Sequence, residues 1–359
     1  MKNKKLALIL STVFLSTLIF SACGSNKDEA ANADKSKELQ VVKTWSRKDC
    51  TAAPIVIADK LGYFKEQGLK VEYTGDTQPA QRLPSILNGN NDFGDAHPNN
   101  LAIAAQGGAK IKAVARSIVE PSKDTTDYEH LQHMWWVSNK NGSIKTLADI
   151  NNYDGKVKVG TNSRNSCVDY LSYKLFVDQN NIPIDKIEWI QMPDVEQVLA
   201  LKKGLIQIAV VHPPYYKSIE DSGIGNILTT SEPIAGENGG TYLYYFSDSF
   251  IEKHPEEVEK FIVAVKKAER YINESIPNAE ERAKVNKMVE EAIGVPVSAN
   301  HYYAIDGTIK DSDIQEWIDG SIKSGALPQD TKVKVSDIVT HKFDKYTNLA
   351  SSPNFIVKN

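Results

Sequence analysis

The segment TWSRKDCTAAP, residues 44–54, sets an aromatic ring (Trp45), two cations (Arg47, Lys48), an acid (Asp49) and a thiol (Cys50) within six residues. Further polar groups follow other apolar runs: Gln78 after LKVEYT, Asp95, His97 and Asn99 after NDFG, and Arg116 after IKAVA. In the second half come Asn162, Ser163, Arg164, Asn165 and Cys167 after KVKVG, then His212 and Tyr215 after IQIAVV. Such groups support three binding chemistries. Arg47, Arg116 or Arg164 can clamp an anionic head bidentately, helped by helix N-termini. Trp45 and Tyr215 can sandwich an aromatic ring such as a pyrimidine while Asp49 or Asp95 accepts from its amino group. Cys50, Cys167, His97 and His212 can converge on a transition metal or metal complex, although none is near another in sequence. A fourth option, thiol-dependent hydrolysis by a cysteine and a histidine, lacks any base-plus-orienter context in the sequence.

Each group also has a plainer reading. Ser46, Asp49, Asn99, Ser163 and Asn165 are good helix caps. Trp45 suits a core, and a histidine near a strand end is commonly a packed, hydrogen-bonded residue. The pair His130 and His133, in HLQH, has i,i+3 spacing but sits in a polar segment and reads as structural. A Cys50–Cys167 disulfide is not expected, because it would lock together two units that must move. No metal site and no cofactor is assigned.

The elements that would position these residues alternate. LQVVKT, LKVEYT, NDFGDA and IKAVARS are β-prone; APIVIADKL, RLPSILNG and NNLAIAAQGG between them are helical and end at Gly, Asn or just short of a Gly. The rhythm breaks at EPSKDTTDYEHLQ and resumes with MWWVSN, KVKVG, IEWIQM and IQIAVVH as strands, with DYLSYKLFVDQ and DVEQVLALKKG as helices between them. TYLYYFS then reads as a strand before three or more amphipathic helices beginning with PEEVEKFIVAVKKAERYINES. The predicted fold class is α/β, with two lobes, each a mostly parallel sheet flanked by helices. Ligands of open α/β sheets lie beyond the carboxyl ends of the strands, where the polar loops stand. The two lobes would therefore share a cleft.

A chain of 359 residues is long enough for two cores, and a net charge of −4 argues against a nucleic-acid partner. The opening MKNKK, the apolar LALILSTVFLSTLIF and SAC read as an export signal. FSAC resembles the lipobox of bacterial lipoproteins, which implies cleavage before Cys23 and lipid on its sulfur. GSNKDEAANADKSK is too polar to bury a core and reads as a tether. The expected division is 1–22 signal, 23–38 tether, 39–122 first lobe, 123–228 second lobe, and 229–359 returning to the first lobe through C-terminal helices.

APIVIADKLGYFKEQGLKVEY, LPSILNGNNDFGDAHPNNLAIAAQGGAKIKAVA, SIKTLADINNYDGKVKVGTN and EQVLALKKGLIQIAVVHPPY occur in order. Together they resemble the periplasmic solute-binding proteins of the nitrate, sulfonate, taurine and thiamine-precursor type, over roughly residues 40 to 217. The resemblance implies two hinged lobes that close over a small molecule, without turnover, and deliver it to an ABC permease. It implies a monomer held by lipid at the extracytoplasmic face of the cell membrane. Ligand contacts carry over to Trp45, Arg47, Asp49 and Cys50 of the first loop, and to Gln78, Asp95, His97, Arg116, Asn162, Ser163 and His212. The first loop departs from the small or hydroxylated residues usual in sulfonate and nitrate binders. The fungal pyrimidine synthase that shares the fold carries a cysteine-rich motif absent here.

Overall fold

Runs rich in β-branched and aromatic residues supply the strands of the computed structural model, which describes residues 38–297 and 300–348. The signal segment, Cys23 and most of the tether lie outside the described residues. Among the described residues no helix is long and apolar enough to cross a membrane.

In the first lobe β1 (Gln40–Ser46) and β2 (Leu69–Asp76) pair in parallel, followed by β3 (Phe93–Ala96), β4 (Ile111–Arg116) and the short β5 (Ile118–Val119). The second lobe holds β6 (Trp135–Asn139), β7 (Val157–Thr161), β8 (Ile187–Gln191), β9 (Ile208–Val211) and β10 (Gly225–Thr230), in the spatial order β10-β6-β9-β7-β8. The chain then returns. β11 (Leu243–Ser247) inserts between β3 and β4, and β12 (Tyr302–Tyr303) pairs with β5.

Parallel pairing holds for β1–β2, β7–β8 and β7–β9, but β6, β10 and β11 run against their neighbours. The sheets are thus more mixed than the alternation of strands and helices predicts. β6 and β11 are the strands entered directly from a crossing between lobes, so no right-handed helical crossover sets their direction. The two crossing segments run side by side: Glu120 N–H donates to the Glu237 carbonyl at 3.0 Å, and Ser117 N–H to the Tyr242 carbonyl at 2.8 Å.

The first core lies between helix Ala53–Lys60 and helix Pro255–Ser275, where Val258, Phe261, Ile262 and Val265 meet Ile55, Phe64 and Phe93. Phe93 and Phe261 approach to 4.3 Å between ring centroids. Burial of each such side chain contributes about 1.5–3 kcal/mol, which fastens the C-terminal helices to the first lobe. A second core fills the other lobe around Trp136, Val159, Leu171, Phe176 and Val210. Helix Asp311–Lys323 bridges the two: Ile314 and Ile318 pack with Leu101 and Ala102, while Trp317 joins the second core.

Candidate functional site

Histidines and a cysteine from five separate segments meet between the lobes. His97 stands at the end of β3, immediately before helix Pro98–Gln106. Its Nδ1 lies 2.8 Å from the carbonyl of Thr241, its ring stacks on Trp317 at 5.3 Å, and Tyr242 meets it edge-on at 4.4 Å. From the second lobe, Cys167 opens helix Cys167–Tyr173. That helix starts two residues before the predicted one, with Ser166 at its N-cap and Asp169 reaching back to accept from the Ser166 backbone N–H at 3.2 Å. His212 follows β9 and places Nε2 3.8 Å from Cys167 Sγ.

His212 is held by what lies behind it. Asp194 Oδ2 accepts from its backbone N–H at 3.0 Å and stands 2.7 Å from Nδ1. Asp194 is in turn fixed by Gln197, whose amide donates to Asp194 Oδ1 at 2.9 Å and to the Val210 carbonyl at 3.0 Å, and whose oxygen accepts from Val210 N–H. Gly160 makes room for this amide, since a β-carbon there would stand 2.7 Å from Gln197 Oε1.

Two further imidazoles complete the cluster. His133, in the crossing before β6, has its ring 4.7 Å from His97, 5.1 Å from His212 and 5.3 Å from His301. Among the described residues neither of its buried ring nitrogens has a hydrogen-bond partner, nor does Nδ1 of His301. Glu120 anchors the His133 backbone by accepting its N–H at 3.1 Å. His97, His133 and Cys167 are 5%, 3% and 4% exposed, and their donor atoms all lie within 4.8 Å of one another. Asn100 of the first lobe donates to the Asn165 carbonyl of the second at 3.1 Å, alongside the cluster.

The electrostatics follow from this crowding. Burial alone would raise the Cys167 thiol, but His97 and His212 outweigh it and bring it below the usual thiol range. Burial alone would lower His212, yet Asp194 and Cys167 hold it well above the usual imidazole range. Burial and the neighbouring imidazoles His97, His212 and His301 push His133 well down, and burial takes His301 to about 3. A neutral imidazole offers a lone pair, so His133 is a donor to an electron-poor guest.

The other predicted residues have different occupations. Arg47 is buried, and its Nη2 and Nε hold Asp95 at 2.6 and 3.0 Å, so neither residue stands ready for the expected anion clamp or amino-group contact. Arg116 is likewise buried between Asp313, at 2.9 Å, and Glu237. Arg164 pairs with Asp169 at 2.6 Å and lies over Trp189. Trp45, expected as an aromatic wall, is 1% exposed in a core with Ile86, Leu101 and Leu243, beneath Arg47. Asp49 caps the turn Cys50–Ala52, accepting from Thr51 N–H at 3.0 Å, while Tyr215, half-buried, feels its charge from the other lobe. Cys50 packs in the first core and, like Cys167, is a thiol, with no disulfide between them. Gln78 is exposed. Asn162 is exposed beside His212, and Ser163 turns its carbonyl to Thr161 and Ser166.

Of the residues predicted from the sequence the structure brings together His97, Cys167 and His212; His133, His301 and Asp194, which stand beside them, were not among the predicted site residues. His130 and His133 do not act as a pair: His130 binds Asp127 and Glu220 while His133 enters the cluster. The available signal was position, since His133 directly precedes the strand that the chain enters on crossing between lobes.

Residues 50–277 match the family model described as NMT1/THI5 like. The 4-amino-5-hydroxymethyl-2-methylpyrimidine phosphate synthase THI11 of Saccharomyces cerevisiae is 29% identical over 231 residues, 61% of this chain. The match spans 62% of that relative's length. Among solved structures, the periplasmic nitrate-binding protein NrtA from Synechocystis PCC 6803 superposes with a TM-score of 0.69 at 14% identity, over 88% of this chain and 90% of its own. The ligand-binding component of an ABC-type import system from Staphylococcus aureus, solved with zinc bound, gives 0.66 at 17% identity, over 86% and 99%. At these identities the likeness establishes the fold, that of periplasmic binding proteins.

Proposed function

This chain belongs to the NMT1/THI5-like family, and from that premise we propose that it is the solute-capturing component of an ABC importer, closing two lobes around one small ligand. The observation that carries this reading is the meeting of buried His97 from one lobe with buried Cys167 and partly buried His212 from the other, bridged by the Asn100–Asn165 hydrogen bond. Groups so far apart in sequence come together only when the lobes are closed. The crossings near Glu120 and Glu237 would serve as the hinge. The protein releases its solute unchanged to a membrane permease, acts as a monomer, and is held at the extracytoplasmic face through lipid on Cys23.

Native mass spectrometry of freshly purified full-length protein should show one co-purified species. Its removal and restoration should change the radius of gyration in small-angle scattering. A radius that stays constant with every solute fraction tested would refute capture between the lobes. Release of the Cys23→Ser protein from membranes tests the anchor.

A sulfonate head or a pyrimidine ring as the solute draws less support, because Arg47, Arg116 and Arg164 are already in ion pairs and Trp45 lies within a core. A second reading, thiol-dependent catalysis on the same fold, is favoured by the relay Cys167–His212–Asp194, which has the order of nucleophile, base and orienter. Turnover of a thioester or pyrimidine substrate, abolished in Cys167→Ala, would establish it in place of binding.

A further inference from the structure

The donor chemistry at the lobe interface is more specific than capture alone requires. His97 is tethered through Nδ1 to the Thr241 carbonyl, and His212 through Nδ1 to Asp194. The tether at His97 fixes a tautomer that leaves Nε2 with its lone pair, and the Asp194 tether orients His212 so that Nε2 can coordinate once its proton is displaced, as carbonyls and carboxylates do for metal-ligating histidines. His133 brings two buried ring nitrogens with no hydrogen-bond partner among the described residues, a desolvation cost that a ligand in the cluster would offset. Cys167 adds a thiol 3.8 Å from His212 Nε2.

We infer that the solute is a single borderline or soft transition-metal ion, held by Nε2 of His97, Nε2 of His212, a ring nitrogen of His133 and Sγ of Cys167. This rests on the capture reading above and names its ligand class.

Ligand atoms around a tetrahedral ion, at about 2.0–2.1 Å for nitrogen and 2.3 Å for sulfur, lie roughly 3.3–3.6 Å apart. The donors of His97, His133 and Cys167, within 4.8 Å of one another, need only a small inward movement to reach that spacing. Three imidazoles and one thiolate suit zinc, copper or cobalt, whereas magnesium and calcium require oxygen ligands. Burial then separates a bare ion from a metal chelate. A chelate brings its own donors and bulk, while three almost wholly covered donors, His97, His133 and Cys167, with the partly buried His212 beside them, are enough to complete a tetrahedral shell around a bare ion. On binding, the proton on His212 Nε2 and any proton on the thiol leave to solvent, and the nitrogen and the thiolate sulfur coordinate the ion.

The test uses full-length protein stripped with a chelator and titrated with cobalt(II) chloride. One equivalent per chain should bind, with the intense visible bands of tetrahedral cobalt and a near-ultraviolet thiolate-to-metal charge transfer. Zinc chloride should displace it. X-ray absorption of the wild-type zinc form should give one sulfur and three nitrogen neighbours, a readout that needs no variant to fold. Cys167→Ser should lose the charge transfer and bind zinc at least about 100-fold more weakly, and His133→Ala should also weaken zinc while keeping the charge transfer.

No stoichiometric binding, an all-oxygen shell, or charge transfer retained in Cys167→Ser would overturn the inference, as would binding of a preformed zinc chelate but not the bare ion. Lobe closure around a co-purified organic molecule without metal would keep the capture reading and remove the metal. Zinc bound through Cys167 with no change in radius of gyration would remove the ion as captured solute.

Discussion

Arg47 grips Asp95 with Nη2 to Oδ1 at 2.6 Å and Nε to Oδ1 at 3.0 Å, in a pair whose side chains are only 2% and 5% exposed. The pair ties the end of β1 to the end of β3 one residue before the loop that carries His97, so it holds part of the cluster's frame. Arg47→Ala would leave Asp95 buried and uncompensated and should cost about 3–5 kcal/mol in urea unfolding. The double variant Arg47→Met, Asp95→Leu should recover much of this. A single variant as stable as the wild type would show that the pair is not structural.

Gly320 faces Tyr170 where helix Asp311–Lys323 meets the second lobe. A β-carbon there would stand 2.1 Å from Tyr170 Cδ2 and 2.2 Å from Cε2. The Tyr170 ring cannot easily yield, being buried with its hydroxyl donating to Glu316 at 3.0 Å. In an open helix Gly→Ala stabilises by up to about 1 kcal/mol. Here overpacking should reverse the sign, costing about 1–3 kcal/mol and weakening the retained solute by loosening the closed form. Thermal unfolding and ligand titration of Gly320→Ala check both, and a more stable protein would contradict the contact.

His130 lies between Asp127, at 2.6 Å, and Glu220, while Arg282 also holds Asp127 at 2.6 Å. Burial by itself lowers its pKa, but the bonds to Glu220 and Asp127 outweigh it and the net shift is upward. Because the folded value exceeds the unfolded one, the contribution is fully present below the ordinary imidazole pKa and fades as pH rises through the raised value. The stability lost in His130→Gln should therefore be larger at about pH 5.5 than at about pH 9. Equal losses at both pH values would remove the charge from the account.

Asp194 acts through His212 rather than on the solute. Asp194→Asn can present an N–H to Nδ1 and turn the ring to the tautomer that protonates Nε2. Solute affinity should fall by about 10–100-fold, with the fold intact by circular dichroism. An unchanged affinity would mean that the hydrogen bond to Asp194 does not set the imidazole's orientation.

Much of the fold was legible because strand and helix patterns are local. The apolar alternation of LKVEYT and the uninterrupted IQIAVV marked β2 and β9, and the polar residues after them marked the loops. His97, Cys167 and His212 were found this way. The strand TYLYYFS was legible too, but its antiparallel place as β11 between β3 and β4 was not, since that depends on a return across more than a hundred residues. His130 and His133 were read together from their spacing, yet the turn Tyr128–Leu131 and the start of β6 send them to different surroundings.

By itself the sequence determined the α/β character and a short roster of chemically active side chains, because each depends on residue type and near-neighbour periodicity. Only the tertiary structure decided which of them cancel and which remain available. Arg47 met Asp95 and Arg116 met Asp313 and Glu237, whereas the His133 ring found no hydrogen-bond partner among the described residues, beside Cys167, His97 and His212. Charge pairing and burial depend on distances across the folded chain, which sheet order and lobe closure set and no local pattern encodes.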